Sequence, residues 1–334
     1  QVRAFDVENR PTKPSPILSF QKHIVGTAGN LLAVQGPVKV GKSGVIASII
    51  AAALNGDLRT GADTLGLEAV NRESRAVVHI DSEQSRYDHD SLIRKSMRRA
   101  KVDSLPLWFS SFTMADLSTQ ERRAGVELAV EDAAAAHGGA FIVLIDGVAD
   151  LLVDPNDGPE AFELVGWLHA LAIRFDCCIV CVLHENPGSE AGKTRGHLGS
   201  QLSRKAESSL RLAKEADGIT TLWVTDGRSC DIPKSKGLCF SWSDADEMHR
   251  TIGQAGSMKQ IAEREAHALG VESCFGEATS LNYTDLVARI CETLDLKDRA
   301  AKGRVTKWAA LGLILKTTSG DYRITQEKEV AFAP

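Results

Sequence analysis

Nearly continuous apolar runs alternate with longer polar or amphipathic stretches through the first half of the chain. The runs lie at 30–35, 75–81, 140–146 and 177–184, and such runs are typical of strands that are covered on both faces of a sheet. The intervening stretches predict helices at 42–54, 84–101, 119–137 and 159–176. Strands that alternate with helices predict an α/β fold with a mainly parallel sheet flanked by helices.

The pattern changes after residue 188. The stretch 186–196 is rich in Gly, Ser and Lys and predicts a loop. Three short strand-like runs follow at 208–215, 220–226 and 237–242. These runs predict an antiparallel extension of the parallel sheet.

A separate small unit is predicted near the end of the chain. Two helical segments, "YTDLVARICETLDL" and "KDRAAKGRVTKWAALGLI", precede a hairpin-like segment with Ser319-Gly320 at its turn. Helices followed by a hairpin are the pattern of a winged helix. The sequence therefore predicts four parts: an N-terminal extended arm (1–25), an α/β domain (26–245), a helical linker (246–280) and a winged-helix-like domain (281–334).

Composition narrows the function only slightly. Hydrophobic residues make up 43% of the 334 residues and charged residues 25%, as in ordinary soluble proteins. The net charge is −5, so any surface that binds nucleic acid must be local. We find no signal peptide and no apolar run of membrane length. A chain that starts at Gln1 can be part of a longer protein.

The seven cysteines do not indicate a metal site. They lack paired zinc-ribbon spacing, and three of them lie in the strand-like run "CCIVCVL", where alternate side chains point to opposite faces. We therefore expect reduced, buried thiols in a cytoplasmic protein.

The segment "VQGPVKVGKSG" (34–44) matches the phosphate-loop pattern G-x-x-x-x-G-K-[ST] in full. A predicted strand precedes it and a predicted helix follows it, which is the context that the pattern requires. The backbone N–H groups of such a loop surround the β-phosphate, and the helix N-terminus adds a favourable field. A nucleotide is thus the predicted ligand, with Lys42 on its β/γ-phosphates and Ser43 on Mg²⁺. The predicted nucleotide-binding residues are Gly36, Pro37, Val38, Gly41, Lys42, Ser43 and Gly44.

Acidic residues end two of the predicted strands. Asp146 follows six apolar residues in "AFIVLID", the arrangement called Walker B, and is the predicted second contact to Mg²⁺. "VVHIDSEQS" supplies Asp81 and Glu83. We favour Glu83 as the residue that orients the attacking water, because it lies beyond the strand end. Asp81 remains the alternative, as a structural acid or as the catalytic one.

The order of these motifs along the chain is similar to that in a known family. The phosphate loop, "HIDSE", "VLIDG", "CVLHENPG" and "TRGHLGSQLSRKAESSLRL" together resemble the RecA-type ATPases. The chain is most similar to the RepA-like hexameric helicases of plasmids and mobile elements, and more distantly to DnaB-type helicases. The similarity covers roughly residues 20–250, and it implies a RecA-like fold for the α/β domain and a homo-oligomeric ring.

The resemblance also implies roles for single residues. Glu83 falls where the family has its catalytic glutamate, and His184 falls where it has a polar sensor of the γ-phosphate. Arg228 falls near the arginine finger that these proteins insert into a neighbouring subunit. Relatives carry a lysine two residues earlier, whereas this chain has Asp226. Arg228 can therefore also be a simple turn cation.

The resemblance assigns single-stranded DNA to the loop at 186–196, which in the family lines a central channel. The candidate contacts in and next to this loop are Lys193, Arg195 and His197.

A second basic cluster lies in the C-terminal unit. Lys302, Arg304 and Lys307 belong to six basic residues between 296 and 316, and helical spacing allows several of them to project together. This cluster fits a recognition helix for duplex DNA. It fits equally a small domain that docks onto an acidic protein partner.

The sequence thus predicts an ATP-hydrolysing nucleic-acid motor, a hexameric DNA helicase in the replication of a plasmid, phage or mobile element. The alternative is a non-translocating ATP-dependent regulator whose C-terminal unit binds DNA. A small-molecule kinase is the weakest reading, because no lid-like arginine cluster is present.

Overall fold

A computed structural model describes residues 5, 7–55, 61–185 and 196–325. The chain forms two compact units, Gln1–Ala255 and Gly256–Pro334. None of the helices in the described ranges is both long and apolar enough to cross a membrane.

The first unit combines strands and helices in the predicted alternation. Its strands are β1 (Pro16–Phe20), β2 (His23–Thr27), β3 (Asn30–Gly36), β4 (Leu67–Glu68), β5 (Ala76–Asp81), β6 (Phe109–Thr113), β7 (Ala140–Asp146), β8 (Cys178–His184), β9 (Ser208–Lys214), β10 (Thr220–Thr225), β11 (Leu238–Ser243) and β12 (Met248–Gln254). Its helices are α1 (Lys42–Leu54), α2 (Arg86–Ala100), α3 (Thr119–Ala136), α4 (Gly158–Phe175) and α5 (Gly196–Lys205).

Nine of these strands form one sheet in the order β12-β11-β10-β9-β3-β8-β7-β5-β6. The strands from β9 to β6 in this order run parallel, and β10, β11 and β12 extend the sheet antiparallel. The predicted mainly parallel, RecA-like sheet with an antiparallel edge is confirmed. Strands β8 and β7 lie in the middle of the six parallel strands, and all of β7 is buried, because helices cover both faces of parallel strands.

Two apolar cores lie on opposite faces of the sheet. Helices α1 and α2 and a small sheet of β2, β1 and β4 cover one face, and α3, α4 and α5 cover the other. Neighbouring residues of β3 separate accordingly, since Leu32 belongs to the first core and Leu31 to the second.

The thiols in the sheet are free and buried. Cys177, Cys178 and Cys181 form no disulfide, and burial raises the pKa of the Cys181 thiol to about 12. Of the other four cysteines, Cys230 and Cys291 are only half-buried. No group of His, Cys, Asp and Glu in the described residues could hold a metal ion through three or more ligands of those types.

The boundaries of the α/β domain differ from the prediction at both ends. Part of the predicted arm is a β-hairpin, β1–β2, whose turn residues Gln21 and Lys22 both have positive φ. Such turns favour Asn and Gly, so the sequence carried no turn signal here. At the other end, β12 lies inside the predicted linker and pairs with β11.

The second unit contains three helices and a short hairpin. The elements are α6 (Ala255–Phe275), α7 (Tyr283–Leu294), α8 (Asp298–Ala310), β13 (Ile314–Lys316) and β14 (Tyr322–Ile324). Leu281 forms an additional bridge to Tyr322. Trp308 and Phe275 are fully buried in the core of this unit, so α6, which was predicted as part of the linker, belongs to the fold of the C-terminal unit.

This boundary predicts how truncated proteins behave. A fragment that ends at residue 255 should fold cooperatively and stay monodisperse. A fragment that ends at residue 280 keeps α6 without its partners, so Val271, Cys274 and Phe275, each at most 1% exposed in the intact chain, should face water and promote association. Size-exclusion chromatography with light scattering compares the two. If both fragments are equally soluble and have the same oligomeric state, α6 belongs with the first unit instead.

Candidate functional site

The phosphate loop lies between β3 and α1 and depends on its glycines. Gly41 has φ of 101°, a left-handed conformation that favours glycine. A side chain at Gly36 would come within 2.9 Å of the Leu212 carbonyl oxygen. The loop therefore exposes backbone N–H groups at a point where side chains are excluded.

Lys42 is folded into the loop. Its Nζ donates to the carbonyl oxygens of Gly36 (3.0 Å) and Pro37 (2.7 Å), and burial lowers its pKa against the opposing influence of Glu83 and Asp146. The neighbouring Ser43 is exposed. An ammonium held by two neutral carbonyls can exchange these partners for phosphate oxygens, which are stronger acceptors.

The carboxyl ends of four parallel strands bring the other predicted residues together. Gly36 lies opposite His184 in the β3–β8 pair, and Asp81 lies opposite Asp146 in the β5–β7 pair. Ligands of open parallel sheets bind at this edge. The sheet thus places the phosphate loop, the Walker B acid and the sensor position side by side.

Asp146 is the most perturbed of these acids. Burial raises its pKa to about 7, and the neighbouring carboxylates of Glu83 and Asp81 add to the effect. The amide of Gln84 donates to its Oδ2 at 3.3 Å. A carboxylate that is this costly to ionise becomes much easier to ionise beside a divalent cation.

Asp81 and Glu83 have different surroundings. Asp81 is fully buried, and its Oδ1 accepts from the backbone N–H groups of Glu83 (3.1 Å) and Gln84 (2.9 Å). Glu83 is about one third exposed, and its Oε2 lies 3.1 Å from His184 Nε2. Asp81 therefore shapes the turn that presents Glu83 to the site.

Sequence reasoning missed several residues around this edge. The Ser82 hydroxyl lies 3.2 Å from the Asp146 carbonyl oxygen and 3.0 Å from Asp150 Oδ2. Arg211 donates to Glu185 from Nε (3.1 Å) and Nη2 (2.7 Å). Ser82 and Glu185 are each adjacent to a predicted residue, which was the available signal.

A cavity of about 240 Å³ adjoins the phosphate loop beside Ser43 and Gly44. It lies between α1, α2 and the β11–β12 pair, and its lining includes Gln84, Asp88, Lys95, Trp242 and His249. Burial lowers the pKa of His249 to about 4, so its ring is neutral near pH 7. No sequence pattern indicated this cavity, because its walls come from three distant segments.

Arg228 lies at the other end of the parallel strands, where β3 begins. Its Nη2 donates to the Lys205 carbonyl oxygen at 2.9 Å and its Nη1 to Asn30 Oδ1 at 3.4 Å. Asn30 begins β3 and Gly36 ends it, so the two ends are roughly 20 Å apart at about 3.3 Å per residue. Arg228 cannot reach the phosphate loop of its own chain.

Only one of the three predicted nucleic-acid contacts in and next to the 186–196 segment lies in the described residues. Lys193 and Arg195 lie outside the described residues, whereas His197 is exposed at the start of α5.

The three α8 residues that were predicted to contact nucleic acid have partners within the C-terminal unit. Lys302 pairs with Asp298 (2.8 Å), Lys307 with Glu263 (3.2 Å), and Arg304 donates to His267 Nδ1 (2.9 Å). Arg304 and Lys307 both reach across to α6, and the contact of these cations with nucleic acid stays a prediction.

The fold and the phosphate loop define a P-loop nucleotide-binding domain with a RecA-like sheet. A family model described as an AAA domain matches residues 5–190, more than half of the 334 residues. The chain therefore belongs to this AAA domain family. Among solved structures, the crystal structure of the RadB recombinase is 15% identical with a TM-score of 0.43, over 66% of this chain and 90% of that one. No curated protein matches the chain.

The raised pKa of Asp146 predicts a pH-dependent stability. Between about pH 4 and pH 7 the folded protein keeps a proton that the unfolded chain releases, so the free energy of unfolding should fall as the pH rises. Asp146→Asn removes this ionisation. Without nucleotide or Mg²⁺, its stability relative to the wild type should increase by roughly 2–3 kcal/mol between pH 5 and pH 8.

Urea unfolding at both pH values measures this difference. The control is Asp116→Asn at an exposed carboxylate, which should show no comparable change. A gain for Asp146→Asn that is the same at both pH values would contradict the assigned burial of a charge.

Proposed function

We propose that this protein is an ATP-hydrolysing nucleic-acid motor, a hexameric DNA helicase of the RepA-like kind in plasmid, phage or mobile-element replication. The convergence of Lys42, Asp146, Glu83 and His184 at one edge of the sheet carries the proposal. Each group matches a separate requirement of phosphoryl transfer. The AAA domain family supports the ATPase part.

Ser43 and Asp146 fit a magnesium ion, which takes oxygen ligands and retains several waters. The Ser43 hydroxyl is exposed, and Asp146 has a carboxylate whose ionisation a cation would favour. When bound, Mg²⁺ supplies charge neutralisation at the β- and γ-phosphates. Lys42 would then leave its two carbonyl partners and bind the same phosphates.

The nucleoside part of ATP would extend into the 240 Å³ cavity beside Ser43 and Gly44. Trp242 offers an aromatic surface for the base, and Lys95 lies 5.4 Å from the centre of its ring. Asp88 and Gln84 are the polar groups that can select hydrogen-bonding partners.

Glu83 is the proposed residue that orients water, and His184 is the sensor. In the sequence, His184 and Glu185 directly precede the segment 186–195, which contains Lys193 and Arg195, and His197 follows it. Arg211 anchors Glu185, the last described residue before this segment. A change at the γ-phosphate could thus be transmitted to a segment that holds single-stranded DNA.

A second candidate is an ATP-dependent DNA-binding regulator. The C-terminal order of helix, bridging residue Leu281, two helices and hairpin supports a winged-helix-like unit. Arg299 and Lys302 on its α8 are exposed and could contact a DNA backbone. DNA-strand separation distinguishes the two functions, because only the motor requires it.

Glu83→Gln tests the catalytic assignment. The amide keeps the size of the side chain but cannot act as a base, so ATP binding should persist while turnover falls by about two to four orders of magnitude. Turnover is measured with and without single-stranded DNA, together with unwinding of a forked duplex. The wild type should be stimulated and should unwind. If Asp81→Asn shows the loss and Glu83→Gln does not, the two acids have exchanged roles.

Arg228 tests whether the site is completed by a neighbour. An arginine supplied in trans contributes about three to five orders of magnitude in rate. Arg228→Ala should bind ATP but be inactive alone. Mixing it with Lys42→Ala should restore part of the activity, since an intact Lys42 site can receive a neighbour's Arg228. Absence of recovery in mixed assemblies that demonstrably form would leave Arg228 as a cap of the α5 carbonyls.

A further inference from the structure

Gly147 lies directly against the carboxylate of Glu83. A methyl group built on its Cα would overlap Oε1 of Glu83 and would lie 2.8 Å from Cδ and 3.0 Å from Cγ. Contacts this short require something to move. The atoms met are the end of a flexible side chain, so the side chain of Glu83 would yield rather than the fold.

The φ and ψ angles of Gly147, −108° and 109°, are open to any residue. The N–H of Gly147 donates to the Ser82 hydroxyl at 3.3 Å, and the oxygen of this hydroxyl lies 3.1 Å from the Gly147 carbonyl oxygen. Ser82 therefore holds the Gly147 peptide close to Glu83.

The other carboxylate oxygen is held from a different strand. Oε2 of Glu83 lies 3.1 Å from Nε2 of His184, at the end of β8. One side of the Glu83 carboxylate thus contacts His184 through a hydrogen bond. The other side occupies the space that a side chain at residue 147 would fill. Rotation of Glu83 away from Gly147 would change its distance to His184.

We infer that Gly147 is a positioning residue for Glu83: its missing side chain provides the space in which the carboxylate meets both His184 and the attacking water. The inference rests on the proposed role of Glu83 in ATP hydrolysis. It assigns to Gly147 an effect on the rate of the chemical step and not on nucleotide affinity.

Gly147→Ala is the test. A displacement of about 1 Å in a catalytic group can cost about 100-fold in rate, so kcat for ATP should fall roughly 10- to 100-fold. The Kd of a fluorescent ATP analogue and the thermal midpoint should remain close to the wild type. Gly166→Ala is the matched control, because its added methyl group on α4 meets nothing within 4 Å, and its kcat should be unchanged.

One double variant separates positioning from general damage. On a Glu83→Gln background, Gly147→Ala should cause no further loss, because no base remains to be displaced.

Failure of the inference and failure of the proposed function give different results. A wild-type kcat in Gly147→Ala, or the same fractional loss with and without Glu83, would overturn the inference while leaving the ATPase intact. A wild type without ATPase activity, or a Glu83→Gln variant as active as the wild type, would overturn the proposed function and the inference with it.

Discussion

Negative charge held at a buried strand edge is the constraint on which the candidate site depends. Backbone pairing of β5 with β7 fixes Asp81 beside Asp146, and Glu83 follows Asp81 by two residues. Ionising these groups away from water is costly, and the cost appears as a pKa near 7 for Asp146. Lys42 and the Gln84 amide offset part of it. A magnesium nucleotide would offset more, so affinity for the ligand and the raised pKa of Asp146 would have the same electrostatic origin.

The same edge separates two acids that are neighbours in sequence. Asp81 is the last residue of β5 and points into the protein, where two backbone N–H groups hold it. Glu83 lies beyond the strand and remains partly exposed against His184 and Gly147. One acid therefore maintains the geometry that the other uses. The division follows from the end of the strand, not from any difference in residue chemistry.

The position of Arg228 gives the proposed motor a directional requirement. It lies at the opposite edge of the sheet from the phosphate loop, where it contacts the last carbonyl of α5 and the first residue of β3. A charge on one edge and a nucleotide site on the other can meet only between two copies in a head-to-tail arrangement. Such heterologous contacts close into rings when the rotation allows it. The proposed ring and the proposed trans arginine therefore depend on each other.

Local sequence patterns were enough to predict the α/β alternation, the central buried strands and the phosphate loop, because these depend on local requirements. A strand covered on both faces needs a continuous apolar run, and the loop needs glycine where side chains are excluded. Which polar residues meet depends instead on the folded arrangement of the chain. The β1–β2 hairpin turns through Gln21 and Lys22 without a glycine signal. Helix α6 joins the C-terminal core through contacts with later helices, and Gly147, just after β7, lies beside Glu83, just after β5. Each of these rests on contacts between residues far apart in the chain, where the free energy comes from packing and burial that no local pattern records.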